Sequence, residues 1–112
     1  MKAWLLPVLT LLFAGMVACG HTESPSIALD DIVSAIQTID SDFALDSEKP
    51  YYSWIGAEDG WMGYVDGTHL VKIYRFASAA DAQAQEGMVA NGVFALECND
   101  ETIRSVFSSL SP

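Results

Sequence analysis

The residues best equipped for chemistry lie in one stretch, Trp54-Ile55-Gly56-Ala57-Glu58-Asp59-Gly60-Trp61-Met62-Gly63-Tyr64-Val65-Asp66-Gly67-Thr68-His69. Read as a ligand rim, it offers the flat faces of Trp54, Trp61 and Tyr64. Beside them, Glu58, Asp59 and Asp66 accept hydrogen bonds or hold a cation, and His69 closes the segment. Aromatic platforms with polar edges suit sugars, peptides or quaternary amines. A structural reading competes with this one and carries the greater weight. In it, the glycines and aspartates serve tight hairpins and the aromatics fill a core. How far each ring is buried decides between the two.

Other chemistries find less material. The acids around Asp59-Gly60 and Asp66-Gly67 lack the alternate spacing and terminal glutamate of an EF-hand. No Cys/His spacing resembles a zinc site, so neither metal nor other cofactor is expected. Cys98 and His69 make a formal nucleophile–base pair, but nothing in the sequence brings them together. There is no Gly-x-Ser-x-Gly and no phosphate-binding glycine loop. Fifteen carboxylates always offer pairs, so paired acids carry no signal. A small hydrolase using His69 with nearby acids is the enzymatic alternative to a binding role.

These side chains need a scaffold. Leu29, Ile32, Val33, Ile36, Ile39 and Phe43 recur at steps of three and four, which predicts an amphipathic helix over 26–41. Ser24-Pro25 would begin it, with Asp30 and Asp31 near the positive end of its dipole. Seven aromatic residues lie between Tyr51 and Phe76. With the two Asp-Gly pairs, they predict three antiparallel strands at 51–57, 61–65 and 68–76. Ser78-Ala79-Ala80-Asp81 resembles a capping box that opens a helix over 78–90, stopped by Asn91-Gly92. Phe94, Leu96 and Cys98 alternate as one face of a fourth strand over 93–98, which buries the thiol. A last helix follows Asn99 or Asp100, with Ile103, Val106, Phe107 and Leu110 as its stripe. The order helix, three strands, helix, strand, helix predicts an α+β two-layer sandwich with a mainly antiparallel sheet. A right-handed crossover would set the fourth strand parallel to the third or the first.

The chain has 112 residues and a formal charge of −10, and half of it is hydrophobic. That is too apolar for disorder and too short for two cores. At the N-terminus, Met1-Lys2 precedes an uncharged run from Ala3 to Ala18, shorter than a membrane span and interrupted by Pro7. This pattern reads as a secretory signal. Its end, Met16-Val17-Ala18-Cys19, resembles the lipobox of bacterial lipoproteins, with Met16 where Leu is usual. The resemblance implies cleavage after residue 18, acylation of Cys19 on sulfur, and a lipidated tether over 19–26. A single domain at 27–112 then remains. It also implies, from Gly20 in place of an aspartate, an outer-membrane position facing the periplasm in a host with two membranes. Acyl chains contribute about 0.8 kcal/mol per buried CH₂, and two or more hold a protein firmly.

Loss of Lys2 with the leader leaves four basic side chains against fifteen acidic ones. That excludes a phosphate-neutralising nucleic-acid binder and a polybasic membrane patch. The sequence thus describes a small envelope lipoprotein that acts by binding another envelope protein or a small ligand. Trp54, Asp59, Trp61, Tyr64 and His69 are its candidate contacts. A purely structural envelope component is the remaining alternative.

Overall fold

Asp30 and Asp31 stand in the first turn of helix α1, Leu29–Gln37, and the Asp31 carboxylate accepts from the Ala28 backbone N–H at 3.0 Å. The computed structural model describes residues 26–112. The proposed signal, Cys19, most of the tether and the Ser24-Pro25 cap lie outside them. After α1 come β1 (Asp59–Val65), β2 (His69–Arg75), a short helix α2 (Ala79–Gln83), β3 (Val89–Asn91), β4 (Phe94–Glu97) and helix α3 (Glu101–Ser108). The sheet order is β1-β2-β4-β3, and every neighbouring pair is antiparallel. The architecture is therefore α+β, as the order of elements predicts.

Strand alternation sorts the sheet into two faces. On the first, Val65, Val71, Ile73, Phe94 and Leu96 are buried against Ile32 and Ile36 of α1 and Ile103 and Phe107 of α3. Ile27, Phe43 and Cys98 complete this core. The second face carries a smaller cluster, in which Tyr74 and Ala95 pack with Ala57, Phe76 and Ala82. Small residues at Ala82, Ala90 and Ala95 let α2 lie close to the strands. The Asp100 side chain caps α3 by accepting from the Ile103 N–H at 3.1 Å, and Ser78 caps α2 through the Asp81 N–H.

Five expectations are corrected. Residues 51–57 form no strand; Tyr52–Ile55 is a turn of 3₁₀ helix closed by Gly56 at φ +81°. Asp59-Gly60 is accordingly not a turn but the start of β1. The helix expected over 78–90 stops at Gln83. Gly87 takes φ +78°, and the chain then forms β3. Asn91 ends β3, and Gly92-Val93 joins it to β4 as a hairpin, with Gly92 at φ +60°. This extra strand removes the crossover, so β4 runs antiparallel to β2. Asp66-Gly67 is the hairpin that its sequence predicts. Both residues have positive φ, and the Thr68 N–H returns to the Val65 carbonyl at 3.1 Å.

Candidate functional site

Two glycines decide what covers the sheet near β1. A Cβ at Gly63 would stand 2.6 Å from the Ala44 carbonyl and 2.9 Å from Phe43, so the chain after α1 crosses the first face there. It then follows the free edge of β1, where the Asp46 N–H donates to the Met62 carbonyl at 2.8 Å. A Cβ at Gly60 would stand 2.9 Å from the Tyr52 Cβ and 3.1 Å from Pro50. Glycine here seats Pro50–Ile55 on one end of the second face. The other end stays uncovered.

That uncovered end is an open depression of about 450 Å³. Its floor is Met62, Tyr64, Leu70 and Lys72, and its wall is Glu48–Tyr51. Tyr64 lies opposite Leu70, and Met62 opposite Lys72, in the antiparallel register. Across the next strand pair, Lys72 Nζ stands 4.0 Å from the Glu97 carboxylate. Among the described residues, the large hydrophobic side chains left exposed are Tyr51 (74%), Trp54 (80%) and Tyr64 (52%). Tyr51 and Trp54 stack with centroids 4.7 Å apart and planes 15° from parallel. All three rings therefore stand in or beside the depression, Trp54 through its stack on Tyr51. The surface pairs apolar faces with the ammoniums of Lys49 and Lys72 and the carboxylates of Glu48 and Glu97, a chemistry for binding.

The five residues proposed from the sequence do not converge. Trp54 and Tyr64 belong to the second face. Asp59, Trp61 and His69 alternate onto the first face or its margins. Trp61 is half-buried against the main core, its ring 6.4 Å from that of Phe94. The Lys49 ammonium and the Arg75 guanidinium sit 5.4 and 5.7 Å from its centroid. Asp59 accepts from Lys49 at 2.7 Å, and that charge-assisted bond holds its carboxyl below the usual 3.8. His69 lies at the far end of β2. Its Nδ1 is 3.0 Å from the Thr68 hydroxyl and its Nε2 3.9 Å from Asp100, an acid supplied by the α3 cap rather than by the hairpins. Among the described residues, no group of three or more His, Cys, Asp or Glu side chains is placed to hold a metal.

Sequence reasoning missed Tyr51, Met62, Leu70 and Lys72. Strict alternation along β1 and β2 was the signal that could have found Met62, Leu70 and Lys72, since Met62 shares a face with Tyr64 and Trp61 does not. Tyr74 lies on the same face but is buried. Burial first, and then the neighbouring Glu97 carboxylate, raise its phenol pKa above the ordinary 10.0. Among the described residues, no helix is long and apolar enough to cross a membrane. No protein family, curated protein or solved structure matches the chain.

Proposed function

We propose that this chain is a lipid-anchored envelope protein that acts by binding rather than by catalysis. It engages another envelope protein or a small ligand through the uncovered part of its second sheet face. The observation that carries this reading is the open depression floored by Met62, Tyr64 and Leu70, in which the Tyr64 ring stands exposed. Monomeric domains rarely leave large apolar side chains clustered without use. The anchor rests on Met16-Val17-Ala18-Cys19 and on the uncharged run before it. Quantitative affinity capture from the protein's own envelope tests the reading. Tyr64→Ala and Leu70→Ala should each reduce recovery of the captured partner at least tenfold, the loss expected of residues at the centre of an interface. Ser105→Ala, on the exposed side of α3, should leave recovery unchanged. Equal recovery from all three variants would refute the assignment of this face.

A further inference from the structure

The row Asp59, Arg75, Phe94 and Asn91 crosses the sheet near one end. The Gly92-Val93 turn projects beyond that row. Ser26 packs against Gly92 so closely that a Cβ there would strike its hydroxyl. The chain from Cys19 therefore reaches the domain at this end. The 3₁₀ turn sits at the same end, because Tyr52 packs over Gly60, one residue in from the row, and the Ala57 N–H donates to the Tyr52 carbonyl at 3.1 Å. Six residues separate Cys19 from Ser26, and the seven residue steps between the two span at most about 25 Å. Three strand spacings, from β3 across to β1, cover about 14 Å. A bilayer holding the acyl chains thus lies within reach of Tyr51 and Trp54.

Resting on the acyl anchor proposed above, we infer that the stacked Tyr51–Trp54 pair docks on the bilayer interface of the anchor's own membrane. Tryptophan and tyrosine rings favour the headgroup level, where an apolar body and a polar tip are both satisfied. The two rings already stack on each other and stand largely exposed, so little ordering is needed to present them. Charge attraction does not drive the contact. Lys49, Lys72, Arg75 and Arg104 each stand within 4.0 Å of a carboxylate, in a strongly acidic domain. The contact therefore favours zwitterionic lipid. It tips the 3₁₀ end toward the membrane and leaves the Tyr64–Leu70 end free for a partner.

The acylated protein, reconstituted into phosphatidylcholine vesicles, provides the test. Trp61→Phe leaves Trp54 as the one tryptophan after leader cleavage. Its emission should shift to the blue and be quenched by phosphatidylcholine brominated near the headgroup. Its quenching by acrylamide should fall at least threefold relative to unacylated Cys19→Ala/Trp61→Phe protein, produced without residues 1–18 and measured in buffer. The complementary variant Trp54→Phe should show none of these changes. Comparison of it with the unsubstituted protein gives the same readout if Trp61→Phe does not fold. Exchange of a third of the lipid for phosphatidylglycerol should weaken the bromine quenching; stronger quenching would overturn the proposal. Acylated, vesicle-bound protein whose Trp54 stays open to acrylamide and blind to bromine refutes the contact alone. So does shielding without bromine quenching that disappears on dilution with lipid, the mark of self-association. A mass spectrum showing no acyl chain on Cys19 refutes the anchor itself, and the contact with it.

Discussion

Trp54 and Trp61 lie seven residues apart yet should respond to truncation in opposite ways. Full burial makes Trp→Ala cost about 3–5 kcal/mol. Trp61 is half-buried, which leaves about 2 kcal/mol of packing against Phe94 and the main core. The cations of Lys49 and Arg75 near its ring add roughly 0.5–1 kcal/mol each at exposed sites. Trp61→Ala should therefore cost about 3–4 kcal/mol. For a domain of this size, 1 kcal/mol moves Tm by roughly 4–8 °C, so Tm should fall by at least ~12 °C. Trp54 is 80% exposed and loses little beyond its stack on Tyr51. Its truncation should cost about 0.5 kcal/mol, a shift of roughly 2–4 °C. Tyr64→Ala should resemble Trp54→Ala, because half of that side chain already meets water. Thermal unfolding followed by far-ultraviolet circular dichroism reads all three variants. A fall for Trp54→Ala or Tyr64→Ala as large as that for Trp61→Ala would refute the division. The exposed rings would then be structural, and the binding face should be abandoned.

Cys98 is 5% exposed, so it should resist a thiol reagent in the folded protein and react once denatured; rapid native labelling would place it at the surface. Gly63→Ala should destabilise by ~1–3 kcal/mol, because the new Cβ meets the Ala44 carbonyl, a backbone atom with little freedom to move. A denaturant midpoint equal to that of the unsubstituted protein would show that the 43–44 segment shifts freely. The pKa of Asp59 is lowered by the hydrogen bond from Lys49, so its contribution to stability is present above 3.8 and fades as pH falls through its folded value. Lys49→Met should lower Tm near neutrality and flatten the acid limb of the Tm–pH profile; an unchanged profile would mean that the bond carries no stability. Tyr74 behaves inversely, since its raised pKa supplies stability below pH 10 that is lost as pH climbs through the folded value. Tyr74→Phe should therefore flatten the alkaline limb.

The sequence read clearly wherever one periodicity stood alone. The stripes of α1 and α3 each face a single core, and 3.6-residue spacing survives in both. Asp66-Gly67 is unambiguous because two apolar strands flank it. Tyr51 to Ala57 misled because aromatic content is a strand signal only where neighbours exist to pair with. Here the Gly60 gap accepts Tyr52 as packing, and Tyr51 and Trp54 are left outside. Asn91-Gly92 misled in another way, since the same dipeptide ends helices and turns hairpins. What decides between them is the strand that β4 pairs with, Phe94 with Arg75 and Glu97 with Lys72 of β2, a long-range pairing that no local window contains. The candidate site suffered from period two. Trp61 and Tyr64 are three apart, an odd step that sends them to opposite faces of any regular strand.

The misread helix and the depression have one physical cause. A helix over 78–90 would be about 20 Å long at 1.5 Å per residue and would roof much of the second face. The observed five residues of α2 span about 7 Å, and Ala82 covers only the Tyr74 end. Gly87 at φ +78° spends the remaining residues on turning the chain back into β3. That turn adds a fourth antiparallel strand and leaves Met62, Tyr64 and Leu70 without a helix above them. Residues of this size on an unroofed sheet face give up burial that a longer helix would supply at about 25 cal/mol per Å². Tyr64 is not needed for the fold, because the main core is closed from the other side by α1 and α3. The stability of the domain and the openness of this face are therefore separable, which is the arrangement that a binding surface requires.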